Sequence, residues 1–174
     1  MPRGELVLGG DPGADPAIRP WLGALADSRR RTLDALRDLS SEAVDAPPGP
    51  GLNSIGTLLY HVAAIEADWL FEDVLGPESG VEWPPGLFLF DVRDEAGRLT
   101  PVRGVSLQEH LERLQVVRGH LEKHLRPMTA DDFQRPRRRV SYDVSPAWVI
   151  HHLLQHEAEH RAQVSAVRMA LEHE

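Results

Sequence analysis

The sequence predicts an all-α fold: a four-helix bundle with a long, partly β-hairpin-like insertion between the second and third helices. Apolar residues recur at spacings of three and four in four separate stretches. Each stretch is bounded by caps, prolines or glycines. The last stretch carries three histidines one helical turn apart, His152, His156 and His160, in the run HHLLQHEAEHRAQ.

Residues 1–15 are polar and rich in glycine and proline, and read as a flexible or loosely docked lead-in to a single domain over 16–174. A first helix is expected from about Asp15 to Leu39, with Ile18, Trp21, Leu22, Leu25, Leu33, Leu36 and Leu39 as its apolar positions. SSEAVDAPPGPGLN, with three prolines and two glycines, should break it. The second helix opens at Asn53 or Ser54 as cap, carries Leu58, Val62, Ile65 and Trp69 as one stripe with His61 at its edge, and stops at Gly76-Pro77.

Residues 76–105 form the insertion, and GLFLFDVRDEAGRLTPVRG reads as a hairpin turning at Asp94–Gly97. It can act either as a lid over a pocket or as a flap that shields the core. The third helix starts at Ser106, with Glu109 as its capping-box partner, and ends at Pro127. A short turn at Thr129–Phe133 and an extended stretch lead to the last helix. Ser145 caps that helix, Pro146 takes its first position, and it runs to about Leu171.

Composition narrows the function. The 174 residues hold 27 acidic and 19 basic side chains, a net charge of −8, which disfavours a nucleic-acid partner. The one basic cluster, Arg135 to Arg139, is short and lacks an aromatic stacking platform, so it reads as a solvated loop. The chain has no cysteine, which excludes disulfides, thiolate ligands and a cysteine nucleophile. No apolar run approaches the roughly 20 residues needed to span a bilayer, and the opening lacks the apolar core of a secretory signal. A cytoplasmic protein acting on a small molecule is expected, with no membrane or nucleic-acid partner, and a homodimer would form through an apolar helix face.

His156 and His160 fall where the last helix's pattern calls for apolar side chains, in line with Val149, Leu153, Val164 and Val167. Two inward imidazoles need partners for their ring nitrogens, and a shared metal ion supplies them. By spacing alone the third ligand stays open among His61, His152, His120, His124 and His110. His120 and His124 lie off their helix's core stripe and are expected in solvent; His151 and terminal His173 carry little information. A di-iron site needs two Glu-x-x-His motifs, and only Glu157–His160 supplies one. The His-Glu-x-x-His motif of metalloproteases is missing as well.

HVAAIEADWL in the second helix and HEAEHRAQVSAVRMAL in the last resemble the DinB/YfiT-like superfamily of metal-dependent four-helix proteins. FDVRDEAGRLTPV and SLQEHLERLQVVRGHL carry the likeness further, from about Pro20 to Leu171. The resemblance implies an antiparallel bundle in which His61, His156 and His160 bind a divalent metal, zinc or nickel foremost. Ala162 stands where the family often has glycine. Relatives with glutamate in place of His156 include mycothiol-dependent isomerases, so this chain resembles the DinB/YfiT-like branch more. Characterised relatives use a small thiol such as bacillithiol or mycothiol as cosubstrate.

Three functions follow as expectations. The first is a metal-dependent enzyme that activates a low-molecular-weight thiol for transfer to an electrophile, with Gln163 orienting a ligand and Tyr142 and Trp83 as pocket residues. The second is a metal-dependent hydrolase with Glu159 or Glu66 as proton carrier. The third is a non-enzymatic, stress-related protein whose metal only staples the bundle. Arg161 is expected to pair with Glu157 at the surface.

Overall fold

The computed structural model describes residues 7–46, 49, 52–76 and 79–172. Its helices are α1 (Arg19–Ala35), α2 (Ser41–Asp45), α3 (Ile55–Asp68), α4 (Leu107–Leu125), α5 (Ala130–Gln134) and α6 (Pro146–Leu171). A π-helical segment, Trp69–Leu75, prolongs α3. Two short antiparallel strands, β1 (Arg137–Arg138) and β2 (Asp143–Val144), precede α6. α1, α3, α4 and α6 make the bundle, with α3 packed on α4 and α6, and α1 on α6. Among the described residues, no helix is long and apolar enough to cross a membrane.

The helix starts follow from their caps. Ser54, Ser106 and Ser145 each accept a hydrogen bond from the backbone N–H three residues on. Glu109 completes the capping box by accepting from the Ser106 N–H at 2.9 Å. Gly76, at φ +87°, ends the π segment in a conformation that costs a side-chain-bearing residue more; Pro77 lies outside the described residues.

Several expectations need correction. α1 ends at Ala35 and not near Leu39, and the stretch read as a plain break contains α2, which Ser40 caps ahead of the prolines. The insertion is hairpin-like only in part: its turn at Asp94–Gly97 closes through Asp94 N–H to Arg98 O (2.8 Å) and Thr100 N–H to Val92 O (3.3 Å) around the Arg93–Leu99 bridge, and the pairing goes no further. The β pairing sits instead at β1 and β2, in the stretch expected to be merely extended. Of the lead-in, residues 1–6 lie outside the described part. The remainder is docked: Ala14 is buried, Asp11 pairs with Arg126 at 2.6 Å, and Gly23 leaves room for the Gly9 backbone.

α3 is buried around nearly its whole circumference between Ile55 and Ala64. The insertion makes this possible by lying over its outer face, where Phe88, Val92, Val102 and Val105 pack on Tyr60 and Ala64. The Tyr60 hydroxyl donates to Phe90 O (2.8 Å) and accepts from Phe90 N–H (2.9 Å). Thr57 Oγ1 accepts from Val102 N–H at 3.1 Å, and Arg113 Nε donates to Leu87 O at 2.7 Å. These bonds tie the segment down as a cover for the core.

The bundle centre holds charge. Arg29 of α1, Glu66 of α3, Arg118 of α4 and Glu157 of α6 form a buried ring. Arg29 donates to Glu157 (2.8 Å) and Glu66 (2.9 Å); Arg118 donates to both Glu66 oxygens (2.7 and 2.9 Å) and to Glu157 (2.8 Å). The remaining guanidinium donors reach the carbonyls of Leu114 and Leu25, both at 2.8 Å. Burial penalises the Glu157 carboxylate, but Arg29 and Arg118 outweigh it and hold its pKa below the ordinary value. Arg161, expected to pair with Glu157, donates instead to Ser28 O and Oγ at 3.3 and 3.4 Å, because Glu157 points inward.

Removing one partner strands buried charge, so Glu157→Ala should destabilise the protein by about 3–5 kcal/mol, read as a lower urea midpoint. Tyr60→Phe leaves Phe90 N–H and C=O without their partner and should cost about 1–3 kcal/mol in the same assay.

Candidate metal centre

The site lies where α3 and α6 meet. His61 is one turn and a half into α3, and burial of the surrounding residues fixes its ring inside the bundle. His156 and His160 stack one turn apart on α6 and are half-buried, so the site sits at the edge of the core and not at its centre, as strict alignment with Val149 and Val164 would have placed it. His156 Nε2 lies 3.2 Å from His61 Nε2 and 3.1 Å from His160 Nε2. One ligand atom from each of the three lies within 4.8 Å of the others.

Protons alone do not satisfy this convergence. His160 Nδ1 is 3.0 Å from Gln163 Oε1, and with the amide assigned in that orientation Nδ1 carries the hydrogen, which leaves Nε2 a lone pair. His156 Nε2 then meets two nitrogens with one proton to offer at most. No arrangement of neutral rings gives both contacts a well-directed hydrogen bond. A cation placed between the rings engages all three lone pairs. Zinc–nitrogen bonds of about 2.0–2.1 Å in a tetrahedral arrangement put ligand atoms about 3.3 Å apart, close to the separations found.

The electrostatics suit a ligand set. Burial, reinforced by His160 and Arg93, pushes the His61 pKa down to about 4. Burial, with His160, His61 and His152, takes His156 to about 3. Burial also lowers His160, against the opposing pull of Gln163 and Glu159. All three rings are therefore neutral near pH 7, the form that binds metal. Gln163 holds the outer nitrogen of His160, whereas the buried Nδ1 of His61 has no partner among the described residues.

The other candidates fall elsewhere. Glu66 belongs to the buried ring, with both oxygens held by arginines, so it is not a free proton carrier. Glu159 is exposed. His152 stacks on Trp148 (5.4 Å, 8°) and meets Trp69 at 4.7 Å. His110 is buried beside Arg113, at 3.1 Å from its guanidinium. His120 and His124 are half-buried and not in solvent as expected; Trp83 covers the His120 ring at 5.0 Å. His151 is exposed, and His173 lies outside the described residues. Tyr142 donates to Asp73 Oδ1 at 2.9 Å, while Trp83 packs on Phe71 at 4.5 Å.

Fold and site thus define a helical bundle with a three-histidine arrangement that can hold a divalent metal ion. The model of the DinB superfamily matches residues 24–164, and the chain belongs to that superfamily. No curated protein matches it.

Two outcomes follow. In the metal-free protein, histidines that titrate near 6.5 when unfolded take up protons only near pH 4 (His61, His110) or pH 3 (His156) when folded. Their contribution is fully present above about pH 6.5 and is lost as pH falls from there towards 4 for His61 and His110 and towards 3 for His156. Melting temperature should drop across that window, and less steeply in His156→Gln. Gln163→Ala should weaken zinc binding about 10–100-fold in a competition titration, since it removes the group that orients His160.

Proposed function

We propose that this protein is a metal-dependent enzyme that activates a low-molecular-weight thiol for transfer to an electrophile. The observation that supports it most is the convergence of His61, His156 and His160 through Nε2, with no fourth protein ligand in the set among the described residues. Three protein donors leave a coordination position for an incoming molecule, whereas structural zinc sites are commonly closed by four. Zinc or nickel bound there supplies Lewis acidity, which lowers the pKa of a thiol or water that enters as a ligand.

The chain's own residues hold that arrangement ready. His61 comes from the stretch of α3 that is buried on nearly all sides, so its ring is fixed before any ligand arrives. Gln163 sets the tautomer of His160. The neutral state of the rings at pH 7 keeps the donor set available without competing protons. The lack of cysteine fits a nucleophile brought in from outside, with bacillithiol and mycothiol as the candidate cosubstrates. A hydrolytic reading needs a proton carrier at the site, and the Arg29–Arg118 grip on Glu66 removes one of its two candidates.

Incubation of the zinc- and nickel-loaded protein with a panel of small thiols and monobromobimane tests the proposal. A rate at least tenfold above background that disappears on chelation and in His156→Ala is expected. No metal-dependent rate with any thiol overturns the transfer reading. If stripping the metal at the same time lowers the melting temperature sharply, the stapling role takes its place.

A further inference from the structure

A cleft of about 390 Å³ opens beside the metal-site face of α6, lined by Trp69, Pro136, Tyr142, Val144 and Trp148. Its size is that of a small-molecule site, and its walls are mainly apolar, with three aromatic rings among them. Trp69 lies 5.4 Å from Trp148 at 42° and 6.4 Å from Tyr142 at 39°, so the three rings form a bent wall and not a closed stack. Trp148 and Tyr142 are about half exposed, at 50% and 48%, although both are large and apolar enough to pack inside. Tyr142 is nonetheless held in place. Its hydroxyl donates to Asp73, a residue only 3% exposed, and Arg139 donates to the Asp73 carbonyl through its guanidinium. An exposed ring with a fixed, buried anchor is a built surface.

The wall also continues to the histidines. Trp148 stacks on His152, which meets His156 at 5.9 Å between ring centres. His156 follows Trp148 by eight helical positions, roughly 12 Å along the axis. A molecule with one end at the histidines and the other in the cleft is about that long. Asp143 lines the cleft too, so an anionic ring is disfavoured there.

We propose that this cleft is a binding site for an uncharged, planar aromatic group, which stacks against Trp148 and Tyr142. As the seat of the electrophile's aromatic portion it rests on the transfer reading above; as a binding site it does not. Indole and phenol rings favour offset or tilted partners at the separations seen here, and a flat guest completes the bent wall.

The test is a ligand-observed NMR titration of p-cresol, benzoate and tetramethylammonium against the full chain, with zinc and after metal removal. Saturable p-cresol binding that is insensitive to metal is expected, with benzoate and tetramethylammonium weaker. Trp148→Ala and Tyr142→Ala should each weaken p-cresol about fivefold or more, with circular dichroism showing the helices intact; if Trp148→Ala does not fold, Tyr142→Ala decides alone. Equal p-cresol affinity in a folded variant overturns the proposal, and so does tighter binding of tetramethylammonium, which would mark a cation cage. Binding of p-cresol to a protein that transfers no thiol leaves the cleft standing and removes only its link to that chemistry.

Discussion

The buried ring of Arg29, Glu66, Arg118 and Glu157 is the constraint on which the rest of the structure depends. Each of the four bundle helices contributes one member. Apolar stripes tolerate sliding and rotation, since one leucine packs against a neighbour much as the next does. Charges in a low-dielectric interior do not tolerate it, because a displaced partner leaves an ion unpaired. The ring therefore sets the height of each helix against the other three. Glu157 directly follows His156, and Glu66 stands little more than one turn beyond His61. The contacts that lock α3 to α6 are thus the ones that bring His61 Nε2 to His156 Nε2.

That register explains the division of labour along α6. One face carries Val149, Leu153, Val164 and Val167 into the core together with Glu157. The adjoining edge carries His152, His156 and His160, half-buried and reachable. Burial deep enough to keep these rings neutral and exposure wide enough to admit a ligand coexist because the edge of the bundle, and not its centre, holds them. The insertion over α3 completes the arrangement from the other side. Tyr60, Thr57 and Arg113 bind its backbone, which seals the outer face of α3, and the charge of Arg93 reaches His61 from there.

The bundle and its histidines were legible because their signals are local. Ser145-Pro146 marks the start of α6, Ser106 and Glu109 mark that of α4, and spacing of four puts His156 and His160 on one face. The choice of His61 over His110 or His120 came from likeness to a family and not from spacing. What escaped depends on partners far along the chain. Arg29 and Glu157 are 128 residues apart, and each taken alone resembles a solvated charge. The pairing of Arg161 with Glu157 fails for the same reason: the neighbour four residues away is visible in a sequence, and the one across the bundle is not. The π segment at Trp69–Leu75 has no distinctive local composition, yet it accompanies the placement of Trp69 against His152 and of Asp73 beneath Tyr142. The hairpin at Asp94–Gly97, where the turn chemistry is strong, stops at the Arg93–Leu99 bridge because Leu87, Phe90 and Val102 further out spend their hydrogen bonds on α3 and α4.

The most direct measurement is the metal content, by mass spectrometry, of protein purified without a metal-affinity column and then offered zinc or nickel, for wild type beside His61→Ala. One divalent ion per chain in the wild type and close to none in the variant is the predicted result, because the site needs a donor from α3 as well as the pair from α6. A wild type that takes up neither metal, or a His61→Ala protein that keeps the full complement, contradicts the account.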